Sequence, residues 1–338
     1  MSFKYNQHKL LSFIFIILPV FLFFLSFLIG RYPVSPIDVI YTLISKFNPS
    51  YTVSDSISSV VFNIRLPRII GAMVVGAALS VVGATFQAIF KNPLVSPDIL
   101  GVSSGAGFGA AVAILANAGT YVVQTLAFLF GLVSVLITYS VSKVYNSKGT
   151  LILVLSGMAV SSFFGSLISS TKFLADPNNK LPEITFWLMG SLSSINSRVL
   201  VPVLLVIIMG SFVLILLRWR LNILAMGDEE SQALGLNIDR LRLIFILIST
   251  LITASAVSIS GVIGWIGLIV PHMTRILTGP DNNILLPASI SFGASFLLIM
   301  DNIARTTFLV EIPIGILTAL IGAPLFLLLL RKGYSDWR

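Results

Sequence analysis

The chain has 338 residues, of which 56% are hydrophobic and only 10% charged, with a mean hydropathy of +1.00 and a formal net charge of +8. Cysteine is absent and the only histidines are His8 and His272, which excludes disulfides, thiolate chemistry and cysteine- or histidine-built metal clusters. The cations lie between apolar runs and not on one aromatic-lined face, so the excess positive charge reflects membrane topology and no nucleic-acid partner is expected.

A spanning helix takes roughly 20 mostly apolar residues. The first such run, 10–29, follows Lys4 and Lys9. It is longer than the roughly 7 to 15 residue core of a cleavable signal and ends in Gly30-Arg31-Tyr32-Pro33 without a small-x-small site, so it reads as a retained helix. Further spans are expected at 67–89, 99–117, 121–141, 150–172, 199–217, 242–260, 262–278, 284–303 and 313–331. The expected fold is therefore an all-α polytopic membrane protein, about ten transmembrane helices in a compact bundle, forming one transmembrane domain over 1–338. An even number of spans puts both termini on one side. Placing them in the cytoplasm puts 13 of the 21 Lys and Arg residues inside (4, 9, 91, 143, 148, 218, 220, 240, 242, 275, 331, 332 and 338).

In that orientation Arg65 and Arg68 of "IRLPRII", and Arg305 of "DNIAR", are external. Pro67 suits the first turn of a helix, where its missing N–H costs nothing, so the two arginines are expected to flank a helix start. They serve either as interfacial anchors that snorkel to headgroups or as a cationic rim that docks a partner's carboxylates. Ala72, Gly76, Ser80 and Ala84 recur every four residues, as do Gly101, Gly105 and Gly109. Such stripes let backbones approach closely where no hydrophobic force drives association.

No predicted span carries a carboxylate at its centre, whereas an ion-coupled transporter retains buried ionisable groups near the midplane. Asp301 and Arg275 fall near span ends, and His272 reads as a packing or interfacial residue. The connection "RWRLNILAMGDEESQALGLNIDRLR", 218–242, is polar, with a short helical pattern broken at Gly227 and Gly235; its small and apolar residues could press into a cytosolic partner. Val95 to Leu100 and Val270 to Leu277 are each proline-containing segments after a glycine-containing span, as two related halves would give.

Six stretches, "RLPR", "NPLVSPDILGVSSGAG", "ALGLNIDRLR", "GVIGWIGLIVPHMTR", "DNIAR" and "IPIGILTALIGAPLF", run collinearly between Arg31 and Lys332. Together they resemble the permease subunits of type II ABC importers, the group that includes iron-siderophore, haem, cobalamin and some molybdate uptake systems. The resemblance implies a permease in the plasma (inner) membrane of a prokaryote, dimerising with an identical copy or a paralogue. Two cytosolic ABC ATPases would sit below and an extracytoplasmic substrate-binding protein above. It implies docking of that protein on Arg65, Arg68 and Arg305, and ATPase coupling through the loop 218–241 at Met226, Gly227, Ala233, Leu234, Gly235 and Leu236. It also implies a cytoplasmic gate near Asn92, Leu94, Gly149 and Thr150.

The chain lacks a G-x-x-x-x-G-K-[ST] phosphate loop, so ATP and Mg are left to the partner ATPase. No cofactor, metal or catalytic residue is expected in the chain itself. Ser103, Ser104, Ser161, Ser162 and Ser166 are candidate pathway-lining residues. The expected cargo is a metal chelate, first a ferric siderophore, with cobalamin, haem or molybdate/tungstate as alternatives. An ion-coupled secondary transporter is the rival of a different class, and a membrane-embedded enzyme ranks last.

Overall fold

Small residues decide where the helices of this chain meet. The computed structural model describes residues 2–46, 48, 53–144 and 150–336. Its helices are α1 (Ser2–Leu28), α2 (Pro36–Ser45), α3 (Asp55–Ser59), α4 (Leu66–Ile89), α5 (Val102–Leu115), α6 (Thr120–Val144), α7 (Thr150–Leu174), α8 (Lys180–Leu188), α9 (Ser197–Met226), α10 (Asp228–Ala233), α11 (Ile238–Ser260), α12 (Ile266–Thr278), α13 (Asn282–Thr306) and α14 (Ile314–Asp336). Ten of them, α1, α4 to α7, α9 and α11 to α14, lie over the predicted spans. Among the described residues six helical stretches are long and apolar enough to cross a membrane unaided, and α5, α12 and the apolar parts of α1 and α14 are shorter.

At the centre, α4 runs antiparallel to α13. A Cβ on Gly76 would collide with the Gly293 carbonyl and come within 2.7 Å of the Leu297 Cβ. Ala72, Ser80 and Ala84 of the same stripe are fully buried. Gly105 and Gly109 of α5 meet the α6 backbone at Phe130 and Leu126 in the same way. Gly101 departs from its predicted role: with φ 87° it is the left-handed turn between a 3₁₀ turn, Pro97–Leu100, and α5, a conformation that disfavours residues with a Cβ.

Three further expectations are corrected. The helix containing Pro67 begins well before it, because α3, a π turn over Val60–Arg65 and α4 form one helical stretch, Asp55–Ile89. The π turn, in which Leu66 N–H bonds Val61 O, leads the helix past a proline that cannot donate. The expected polar loop at 218–241 is largely helical, since α9 continues to Met226 and α10 follows at once. The breaks do fall at Gly227 and at Gly235, whose φ is 77°. Val95–Leu100 is loop and 3₁₀ turn while 270–277 lies inside α12, so the two segments share no local structure.

Two of the spans are interrupted. α5 has 14 residues, about 21 Å of helix, short of the roughly 30 Å hydrocarbon core. The deficit is covered by segment 91–101, which turns back beside α4. Pro97 packs on Gly267, next to the Leu79 carbonyl, so it has climbed about 15 Å from the end of α4 at Ile89. α12 is shortened by a non-helical lead at 261–265, where Gly261 and Trp265 have φ of 66° and 72°. Non-helical backbone at this depth is tolerated only when buried in protein or lining a wet cavity.

Candidate functional site at the two ends of the bundle

The C-terminus of α1 leaves carbonyls without intrahelical donors, and two arginines supply them. Arg65 donates to the carbonyls of Phe27 and Tyr32, and Arg305 Nη2 donates to Ser26 O at 2.8 Å. A guanidinium suits this position because the helix C-terminus is the negative end of its dipole. Arg305 also bonds Asn302 Oδ1, and Asn302 Nδ2 reaches Ser26 Oγ at 2.8 Å.

Arg68 faces the other way across the α4–α13 contact. Its Nε donates to Asp301 Oδ1 at 2.9 Å and Oδ2 at 3.2 Å, while Nη1 and Nη2 reach the two oxygens of Glu311 at 2.9 Å each. The fork geometry of guanidinium allows both carboxylates to be served at once. Arg305 Nε lies 3.7 Å from Asp301 Oδ2, an ion pair without a hydrogen bond. Arg31, exposed, closes the assembly by donating to Arg305 O at 3.2 Å and Phe308 O at 2.8 Å. The segment 307–313 is thus held by Arg31 and Arg68.

This geometry corrects the picture of a free cationic rim. Arg65, Arg68 and Arg305 are only 3%, 8% and 6% exposed, and every one of them is engaged within the chain. Asp301 is fully buried between Arg68 and Arg305, and Glu311 is one-third exposed. Three buried arginines against two carboxylates leave the cluster net positive. The side chains that project beyond it are Phe308, Leu309 and Val310. The two carboxylates were the missed partners. An acid one turn before Arg305, and another just before "IPIG", were the available signals.

Beside the cluster is a cavity of about 500 Å³ whose lining includes Gln124, Glu183, Trp187, Ser194, Ser258 and Glu311. Several of the candidate serines lie on α7 or around Gly101. Ser162 and Ser166 are exposed on α7, joined by Ser169 and Ser170, and each hydroxyl bonds the carbonyl four residues back. Ser161 lies against Gly101, and Ser103 donates to Asp98 Oδ1 in the interrupted stretch before α5. Asp98 was missed because it falls just outside the predicted span; only the helix interruption brings it to membrane depth.

At the opposite end Met226, Ala233, Leu234 and Gly235 are exposed, and Leu236 is half-buried against the core. α10 is stapled back by Ser231, whose hydroxyl bonds Ile223 O at 2.9 Å and also Gly227 O. Met226 also borders a shallow cavity with Asn222, Thr278 and Asp281. Asp281 caps α13, accepting from Asn283 N–H at 2.9 Å and from Asn222 Nδ2 at 2.6 Å. The Asn283 backbone bond leads in holding its carboxyl below the usual range. Asn92 and Leu94 are exposed, with Asn92 Oδ1 accepting from Leu94 N–H at 2.9 Å. Thr150 is half-exposed at the first turn of α7, and Gly149 lies outside the described residues.

The apolar helices and the small-residue core that packs them define a multi-pass membrane protein. Residues 17–332 match the model of the FecCD transport family, and the chain belongs to that family of ABC transporter permeases. It is 41% identical over 304 residues, 90% of each chain, to the molybdate import system permease protein MolB of Haemophilus influenzae. Over 277 residues, 82% of this chain and 84% of the relative, it is 41% identical to a Helicobacter pylori protein named "Probable iron chelatin transport system permease protein". A solved structure described as "An inward-facing conformation of a putative metal-chelate type ABC transporter" superposes with a TM-score of 0.86 at 40% identity, covering 96% of this chain and 99% of that one. Permeases of this family are not enzymes, and ATP is hydrolysed by a separate ATPase.

Proposed function

We propose that the chain forms the translocation pathway of an ATP-driven importer for a ferric chelate of the siderophore type. The observation that carries the reading is the serine-lined face of α7. A run of small hydroxylated residues on one face of an otherwise apolar membrane helix is typical of a surface that meets another protein element, since membrane helix interfaces are enriched in such residues. Because each hydroxyl is already bonded to its own backbone, the face is polar but weakly binding, which suits a bulky chelate that must pass without being held. A bare oxyanion would require aimed donors or cations. Relatives are named for the import of molybdate, cobalamin and hemin as well as an iron chelate, so molybdate/tungstate, cobalamin and haem are the competing cargoes.

In this reading the arginine cluster faces the extracytoplasmic side, both termini are cytoplasmic, and a second permease copy completes the pathway. The net positive cluster attracts the acidic face of a substrate-binding protein, while its arginines act by holding the end of α1 and segment 307–313 and not as free hooks. Such charges contribute chiefly to encounter and register. Met226 and Leu234, with the turn at Gly235, insert into the cytosolic ATPase, and segment 91–101 with the start of α7 forms the inner gate. ATP binding and hydrolysis in the partner then open the permease interface to one side at a time.

The test is expression with the native operon neighbours, gentle solubilisation and mass spectrometry of what co-purifies, followed by uptake in proteoliposomes. One ATPase per permease and ATP-dependent uptake of a ⁵⁵Fe-siderophore are expected. Uptake of ⁹⁹Mo-molybdate instead would overturn the cargo, and uptake under an ion gradient without any ATPase would overturn the importer.

A further inference from the structure

We infer that α2 is an interfacial helix that lies in the bilayer surface at the arginine end and seats its isoleucine face among lipid acyl chains. Ile37, Ile40 and Ile44 are 60%, 53% and 38% exposed, although their spacing of three and four residues puts them on one helical face. The opposite face is accounted for: Val39 and Thr42 are buried, and Leu43 packs on the core. At 10 residues, about 15 Å, α2 cannot cross a membrane.

Two features identify lipid as what covers the isoleucines. The first is continuity with the exposed apolar stripe of a helix that lies over a predicted span. α1 exposes Ile17, Phe21, Phe24 and Leu28 at spacings of four, three and four, and this stripe ends at the short turn, 29–35, that leads into α2. The second is the polar border. Asp38 and Ser45 lie on the helical arc between the isoleucine face and the buried face, and Lys46 follows the last turn with its Nζ over the Phe62 ring at 5.7 Å. An apolar arc with polar groups along one border fits a helix lying in the membrane plane. The entry is rigid: Pro36 occupies the first turn, and Ser35 Oγ both accepts from Asp38 N–H at 3.1 Å and donates to Asp38 Oδ2 at 2.8 Å. Since Arg65 bonds Tyr32 O in the turn before α2, the lipid seat of α2 sets the depth of the arginine cluster.

The chain has no cysteine of its own, so single-cysteine variants label at one place. Ile37→Cys, Ile40→Cys and Ser45→Cys in the full chain, each carrying a nitroxide, would be compared in phosphatidylcholine nanodiscs by collision with oxygen and with a water-soluble nickel chelate. The expected result is an oxygen-to-nickel accessibility ratio at 37 and 40 at least about threefold above that at 45, as for side chains seated below the headgroups. Equal ratios at all three positions would overturn the proposal. So would short spin–spin distances between copies at 37 or 40, which would assign the face to a second permease. Shielding that develops only when the purified binding protein is added would likewise overturn it. None of these readouts depends on the cargo or on an ATPase, so failure here is distinct from failure of the importer reading.

Discussion

Replacing Asp301 by Asn removes the charge that faces both Arg68 and Arg305 while keeping the shape of the side chain. Asp301 is fully buried, and its partners lie at 2.9 Å and 3.7 Å. Breaking a buried pair from one side leaves an uncompensated charge and typically costs about 3 to 5 kcal/mol. Glu311→Gln is the internal comparison. Glu311 makes two 2.9 Å bonds to the same arginine but is one-third exposed, and solvent screening holds its loss to about 1 kcal/mol. The order is therefore expected to be Asp301→Asn far worse than Glu311→Gln, although Glu311 makes the more symmetrical contact with Arg68. The assay is equilibrium unfolding in mixed detergent and dodecyl sulfate micelles, read by far-UV circular dichroism. A cycle with Arg68→Met is expected to show coupling to Asp301 of at least about 1 kcal/mol. Asp301→Asn within about 1 kcal/mol of the parent, or less damaging than Glu311→Gln, would refute the view that burial, not bond count, sets the worth of these pairs.

Gly83→Ala would drive a methyl group into the Gly267 carbonyl, with Gly267 itself wedged against Pro97; overpacking of about 1 to 3 kcal/mol is expected, seen as a lower thermal midpoint, whereas Gly165→Ala, with open space around it in the interior of α7, leaves the midpoint unchanged or raises it, because Ala favours the helix over Gly. Met226→Asp with Leu234→Asp is expected to abolish co-purification of the ATPase without changing the permease's own gel-filtration profile; retained stoichiometric ATPase would remove these side chains from the coupling surface. Asp281→Ala removes the cap of α13 and costs about 1 kcal/mol at neutral pH. Because the folded carboxyl titrates below its unfolded value near about 4, its charge-linked stabilisation is complete above that value and lost as pH falls through the folded pKa. The gap between variant and parent should therefore narrow in acid titrations, and a gap that widens would contradict the sign.

Composition and hydropathy were enough to read an all-helical membrane bundle with about ten spans, because transfer of apolar side chains to lipid depends on each segment alone. The close contacts of Gly76, Gly105 and Gly109 were legible for a related reason: a four-residue repeat of small side chains marks a face before its partner is known. Function at the level of an ABC permease followed from six collinear motifs. The arginines show the limit of such reading. Arg65, Arg68 and Arg305 were recognisable as unusual, yet whether they face a partner or the chain's own carboxylates depends on Asp301 and Glu311, more than 230 residues away from Arg68. Asp98 was likewise invisible as a membrane-depth group until the interruption before α5 carried it back along α4. Local pattern determined which segments enter the membrane; only the antiparallel packing of α4 on α13 decided which charges cancel there, since Coulomb energy depends on distance in space and on burial, neither of which is written in sequence order.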